Sequence, residues 1–99
     1  MKLFASGDWV VAQGKEEEFL QRWTEFLQWS KAEAPGLIEA HLLRDEQNAS
    51  HFVSLSEWSD TGSRDAWRSH ADFQSHLQAA RGLCDTFSNS DYELATEVK

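Results

Sequence analysis

The sequence of 99 residues contains one cysteine and one proline. With Cys84 alone there is no partner for an intrachain disulfide, and a single thiol fits a reducing compartment. No apolar run approaches the ~18 residues that a membrane-spanning helix needs. Gly7 and Asp8 interrupt the N-terminal segment before the apolar core of a signal peptide develops. We therefore expect a cytoplasmic protein that does not enter a membrane.

Basic residues are also scarce. Nine Lys and Arg stand against 17 Asp and Glu, which gives a formal net charge of -8. A charge of this sign repels the phosphate backbone of nucleic acids and the surface of anionic membranes. The apolar share of 40% is still enough for one hydrophobic core in a chain of this length. The sequence predicts a single domain over residues 1–99 that binds no nucleic acid.

Motifs for cofactor chemistry are missing as well. The sequence has no Gly-rich phosphate loop, no dinucleotide-binding fingerprint and no Ser-His-Asp constellation. His70 and His76 are six residues apart, and this spacing does not align two side chains on one helical face. We expect neither a metal site nor a bound cofactor.

The periodicity of the apolar residues predicts the first two elements. Residues 3–12 alternate as a strand does, with Trp9 on the apolar side. From Lys15 onward, apolar residues recur at steps of three and four, which is typical of one face of a helix. The residues on this face are Phe19, Leu20, Trp23, Phe26, Leu27 and Ser30. Pro35 and Gly36 end the helix.

A hairpin and a bent helix follow. Residues 37–45 and 51–58 are strand-type runs joined by a turn-rich connector, so we expect them to pair antiparallel. The next helix begins near Thr61, bends near Asp72 and continues to about Leu83.

After a polar loop, the alternation of residues 91–98 predicts a last strand with one side exposed to water. The resulting order, βαββαβ, indicates a ferredoxin-like α+β fold, in which a four-stranded antiparallel sheet carries the helices on one face. The other face of the sheet stays uncovered, and a monomer does not tolerate a large exposed apolar face. We expect a homodimer that forms through this open face.

Two short patterns are the most specific features of the sequence. The third strand closes on Glu-Trp-Ser at residues 57–59, and Trp67 begins the spacing Trp-x-Ser-x-x-x-Phe that ends at Phe73. Gly-Lys at residues 14–15 and Pro-Gly at residues 35–36 accompany them. With these features, nearly the whole chain resembles the antibiotic biosynthesis monooxygenase family. The resemblance implies ferredoxin-like domains that join sheet to sheet as dimeric α+β barrels.

The resemblance also implies a class of chemistry. The family includes cofactor-independent oxygenases that act on anthrones or quinols, and haem-degrading enzymes. In the haem-degrading branch an Asn on the first strand and a His on the second helical segment act beside the tryptophan that Trp67 matches. Here the first strand has no Asn, and the histidine position falls on Leu77, with His76 rotated about 100° from it. The resemblance therefore favours a cofactor-independent monooxygenase-like protein that holds a small aromatic, phenolic or quinol substrate between sheet and helices.

Five residues are candidates for such a site. Trp67, Phe73, Trp9 and His70 are predicted to bind substrate, because aromatic side chains suit a flat apolar ligand. His76 is the candidate base for a phenolic proton, since imidazole titrates near neutral pH. The alternatives are that the tryptophans are core, with Trp9 filling the cavity, and that the histidines are packed or face solvent. The protein would then be a non-catalytic dimeric ligand-binding module, or a haem-binding protein without turnover.

Overall fold

A computed structural model describes residues 2–99 and confirms the predicted order of elements. The elements are β1 (Leu3–Val11), α1 (Glu16–Glu33), β2 (Leu37–Asp45), β3 (Asn48–Trp58), α2 (Thr61–Ser69), α3 (Phe73–Arg81) and β4 (Cys84–Glu93). The four strands form one antiparallel sheet in the order β2-β3-β1-β4. The break between α2 and α3 is the bend predicted near Asp72. This is the ferredoxin-like α+β arrangement that the sequence predicts.

The helix α1 carries the apolar stripe that its sequence predicts. Phe19, Trp23, Phe26 and Ser30 are buried, one helical turn after another. Three glutamates occupy the first turn, where the positive end of the helix dipole favours acidic side chains. The helix ends at Glu33, ahead of the proline. Within residues 2–99, no helix is long and apolar enough to cross a membrane.

Side chains alternate between the two faces of the sheet, as the pleat requires. Trp9 on β1 pairs with Phe52 on β3 and with Phe87 on β4, so the three aromatic side chains share one face. The helices pack on this face, where Trp9 and Phe52 are each 1% exposed. The opposite, open face of the sheet carries Phe4, Val10, Leu43, Val53, Leu55 and Tyr92.

The prediction of the last strand is wrong in its position. The alternation predicts a strand at residues 91–98 after a polar loop, whereas β4 ends at Glu93 and the polar segment 84–90 is part of it. This segment is a strand because its backbone pairs with β1. An edge strand needs few apolar side chains, and here Phe87 packs against the core. The third strand also begins earlier than predicted, at Asn48.

The core divides into two clusters. The larger contains Trp9, Val11, Phe19, Trp23, Phe26, Phe52, Phe73 and Ala80. The smaller contains Ala5, Ala34, Leu37 and Trp58. The half-buried Trp67 packs against both of them. Trp67 therefore links the two parts of the core.

Candidate functional site

A cavity of about 260 Å³ lies between the helices and the sheet. All seven helices and strands contribute residues to its lining. Its aromatic side chains are Trp9, Trp23, Phe26, Trp67, Phe73 and Phe87. A concave, mostly apolar space with a few polar groups is the usual form of a small-molecule site, and this volume suits a small ligand.

Small residues on the sheet create the space. Those that line the cavity are Ala5, Ser6, Gly7, Ala40, Ser54 and Ser56. At Gly7 a Cβ atom would lie 2.6 Å from Nε1 of Trp9 and 2.7 Å from Oγ of Ser54. No side chain can be accommodated there unless both of these groups move. These small side chains leave space above the sheet, and the sheet surface beneath this space is the floor of the cavity.

Serine hydroxyls accept the indole N–H groups of Trp9 and Trp67, two of the three tryptophans in the cavity wall. Nε1 of Trp9 donates to Oγ of Ser54 at 3.0 Å, and Nε1 of Trp67 donates to Oγ of Ser30 at 2.9 Å. The second bond joins α2 to α1, and Ser30 is 1% exposed. Because their polar atoms are already paired, the two indoles present apolar ring surface to the cavity.

Trp58 makes the same kind of bond to Ser56, a residue of the cavity lining. Its Nε1 donates to Oγ of Ser56 at 2.8 Å, and its side chain is 1% exposed. Its ring lies 4.7 Å from that of Trp67, centroid to centroid. Among residues 2–99, the cavity lining includes Trp67 and not Trp58. Trp58 is a core residue and a natural control for Trp67.

The structure brings three of the five predicted site residues together. Trp9, Trp67 and Phe73 all line the cavity, and Trp67 contacts Phe73 edge to face with centroids 4.8 Å apart. Trp9 is part of the wall and leaves the cavity open. Within the described residues 2–99, neither His70 nor His76 lines the cavity.

The two histidines pack against aromatic side chains of α1. The ring of His76 lies parallel to that of Phe26, with centroids 5.8 Å apart, and 4.9 Å from that of Trp29. The ring of His70 meets Trp29 edge-on at 4.9 Å, and its Nε2 lies 4.0 Å from a carboxylate oxygen of Glu33. His76 thus touches a residue of the cavity wall without facing the cavity.

A known protein family matches most of the chain. The family model described as antibiotic biosynthesis monooxygenase matches residues 7–79. The chain belongs to this family. A sequence comparison with curated proteins finds no match.

Solved structures show the same fold. SnoaB, a cofactor-independent oxygenase from Streptomyces nogalater, superposes with a TM-score of 0.89 at 20% identity, covering 98% of this chain and 96% of that one. A mutant of SnoaB gives a TM-score of 0.90 with the same identity and coverage. A conserved protein from Methanosarcina mazei Go1 gives 0.84 at 18% identity, covering 93% of this chain and 91% of that one. At these identities the likeness shows the fold of the monooxygenase family.

The polar part of the cavity lining was not predictable from the sequence alone. Arg68 lines the cavity, and its two Nη atoms both donate to the carboxylate of Asp91, the Nη1 to Oδ2 distance being 2.8 Å. This bond holds the pKa of Asp91 below its ordinary value. The amide side chains Gln74 and Asn89 also line the cavity. Arg68 could have been singled out from the sequence because it directly follows Trp67. The residues around Asp91 give no indication that it pairs with Arg68.

The single cysteine lies at the start of β4, away from this chemistry. Burial raises the pKa of the Cys84 thiol to about 11, and Asp85 contributes in the same direction. Its Sγ lies 3.5 Å from the carbonyl oxygen of Ala80. A thiol with so high a pKa is a poor nucleophile at neutral pH.

Proposed function

We propose that this protein is a cofactor-independent monooxygenase-like protein that binds a small aromatic, phenolic or quinol substrate in the cavity between sheet and helices. The observation that carries the proposal is the open cavity of about 260 Å³, walled by six aromatic side chains. Membership of the antibiotic biosynthesis monooxygenase family supports the same class of reaction. The fold of SnoaB, a cofactor-independent oxygenase, supports it too.

In such a reaction the substrate itself reduces dioxygen. An electron-rich ring system loses a proton, and the resulting anion transfers electrons to O2. For an anthrone-type methylene, one oxygen atom becomes the new carbonyl oxygen, and the other leaves as water with the two methylene hydrogens. The substrate supplies all four electrons. The protein then needs to orient the ring and limit its contact with water, and a cavity walled by aromatic side chains serves both tasks.

Trp67 and Trp9 are the residues that we expect to position the ring. Their N–H groups are bonded to Ser30 and Ser54, so their orientation is fixed before the ligand binds. Preorganised walls reduce the entropy lost on binding. Phe73 completes this surface at the N-terminus of α3.

Replacing Trp67 by Phe, with Trp58→Phe as control, tests the proposal. Each change removes one indole N–H that donates to a serine, so both should cost about 1–3 kcal/mol of stability. Of the two tryptophans, Trp67 lines the cavity and Trp58 does not. We expect saturable oxygen uptake with one or more of a panel of anthrones and quinols, a tenfold or greater loss in Trp67→Phe, and near wild-type uptake in Trp58→Phe. Absence of uptake across the panel, or equal losses in both variants, would contradict the proposal.

A second candidate is a dimeric module that binds a small apolar ligand without turnover. The observation in its favour concerns the histidines of residues 2–99. His70 and His76 lie outside the cavity lining, and His41 belongs to the lining at a strand position whose side chain the pleat directs to the open face. No histidine side chain of these residues is therefore directed into the cavity as a base. Saturable quenching of tryptophan fluorescence by aromatic ligands, without oxygen uptake, would identify this function. Titration with haemin, followed by its absorbance, separates haem binding from both.

We also propose that two copies pair through the open face of the sheet. Leu43 and Tyr92 on this face are 53% and 55% exposed. Phe4, Val53 and Leu55 lie between them on the central strands. Apolar side chains in neighbouring strands form a continuous patch, and such patches commonly mark interfaces.

A further inference from the structure

The charge of the cavity lining indicates the charge of its ligand. Arg68 is the one side chain of permanent charge among the lining residues drawn from residues 2–99, and none of those residues is an Asp or a Glu. The chain as a whole has the opposite bias, with 17 acidic residues and nine basic ones. A positively charged lining in a protein of net charge -8 favours an anion at this one place.

The guanidinium of Arg68 is held in position by its neighbours. The carboxylate of Asp91 accepts from both of its Nη atoms. Nη2 of Arg64 lies 3.8 Å from the same carboxylate, and Nη1 of Arg64 donates to the carbonyl oxygen of Phe4 at 3.0 Å. One carboxylate therefore faces two guanidinium groups. Asp65, the other acid near Arg68, is exposed to solvent, where its charge is screened.

Arg68 keeps donors free for a ligand. A guanidinium has five N–H groups, and Asp91 engages one on each Nη. The side chain of Arg68 is 28% exposed. Asn89 lies two residues before Asp91 on the same face of β4, and it lines the cavity with Gln74. The amide N–H groups of these two residues add neutral donors to the lining that Arg68 shares.

We infer that Arg68 binds an anionic oxygen, a phenolate or a carboxylate, of the aromatic ligand that occupies the cavity. This inference rests on the proposed function, because it specifies the charge of the ligand in the same cavity. Hydrogen bonds between a guanidinium and an anionic oxygen are about twice as strong as those between neutral groups. A deprotonated phenol is also the form that gives electrons to dioxygen, so Arg68 would select the reactive form of a phenolic substrate.

Calorimetric titration with two matched pairs of compounds tests the inference. One pair is 2-naphthoate and 2-naphthamide, and the other is an ionised nitro-naphthol and its methyl ether. We expect wild-type protein to bind at least one anion tenfold or more tightly than its neutral partner. Arg68→Gln should lose this preference and keep its affinity for the neutral compounds. The anion that is preferred tells whether a carboxylate or a phenolate is recognised.

Arg44→Gln is the matched control. The Arg44 guanidinium lies 5.0 Å from the centroid of the Phe52 ring and is outside the cavity lining among residues 2–99, so the preference should persist. Arg68→Lys keeps the positive charge and should keep part of the preference for the anion. This variant allows the inference to be tested if Arg68→Gln does not fold. Equal affinities for anion and neutral partner, or a preference that survives in Arg68→Gln, would overturn the inference alone. If none of the four compounds binds, both the inference about Arg68 and the proposed function are contradicted.

Discussion

At the scale of single residues, the cavity depends on what Gly7 leaves empty and on how two indoles are held. The missing side chain lets Nε1 of Trp9 approach Oγ of Ser54 across the sheet. The bond of Trp67 to Ser30 fixes the other wall from the helical side. Small changes at these positions should therefore alter binding more than their size suggests.

Gly7→Ala is the smallest substitution that tests this dependence on Gly7. Its Cβ would lie 2.6 Å from Nε1 of Trp9 and 2.7 Å from Oγ of Ser54, so the bond between them must break or lengthen. We expect a lower melting temperature and a tenfold or greater loss of affinity for aromatic ligands. Gly82→Ala is the control, since Gly82 has an ordinary helical φ of -62°. Unchanged ligand affinity in Gly7→Ala would show that the ligand does not use this floor.

His76 remains a predicted base that the geometry does not favour. A general base contributes about 10²–10⁴-fold to a rate. Since the His76 ring packs against Phe26 and Trp29, we expect His76→Gln to lower the melting temperature and to keep oxygen uptake within about tenfold of wild type. A loss of ~100-fold or more in folded protein would restore His76 as a catalytic residue.

At the scale of elements, one histidine ties three strands together near one end of the sheet. His51 on β3 contacts Asp45 on β2 through Nδ1 at 2.9 Å and Asp8 on β1 through Nε2 at 3.0 Å. These carboxylates raise the pKa of His51 above 6.5, the hydrogen bond to Asp45 being the larger cause. The same bond lowers the pKa of Asp45 below 3.8. The hydrogen bond between His51 and Asp45 joins two opposite charges only at pH values where both of these groups are ionised.

This bridge predicts a pH dependence of stability. The contribution of His51 is fully present below its unfolded pKa and is lost as pH rises through its higher folded pKa. The contribution of Asp45 is present above its unfolded pKa and is lost as pH falls through its lower folded pKa. The melting temperature of wild type should therefore exceed that of His51→Asn most between pH 3.8 and 6.5, and less at higher pH. Asp45→Asn should reduce the same difference, and a gap that is constant up to pH 9 would contradict the bridge.

At the scale of the whole molecule, the sheet has one face covered by helices and one face open. The covered face holds the cavity, and the open face carries the apolar side chains that we propose as the dimer interface. His51 and Asp8 belong to the same open face, so the bridge would lie within or beside the interface between two copies.

Light scattering should return twice the 11.3 kDa of one chain. Leu55 lies on a central strand, in register with Ser6 of β1 and His41 of β2. Leu55→Glu places a charge in the proposed apolar interface and should yield monomers, since an unpaired buried charge is costly. Ala49→Glu adds the same charge in the exposed hairpin and should leave the dimer intact. A monomer mass for wild type at micromolar concentration would contradict the interface.

Local patterns in the sequence were sufficient for most of the elements. The three- and four-residue apolar steps of α1, the turn between β2 and β3 and the break before Phe73 are all features of neighbouring residues, and the structure confirms them. The position of β4 was not predictable in this way. Its polar residues form a strand because β1 lies beside them. The competing alternation of residues 91–98 is a local signal, and β4 ends at Glu93, one residue before the N–H of Leu94 donates to the carbonyl oxygen of Lys2 at 2.8 Å.

The candidate site shows the same division. A short motif predicted Trp67 and Phe73, the alternation of β1 predicted Trp9, and all three line the cavity. The structure alone decided that His70 and His76 lie outside the cavity, that Gly7 opens its floor and that Arg68 meets Asp91 across 23 residues of sequence. Periodicity within an element indicates which side is buried, because neighbouring residues have a fixed angular relation. Which side chains enclose a space depends on the register between elements distant in the chain, and only tertiary packing determines that register.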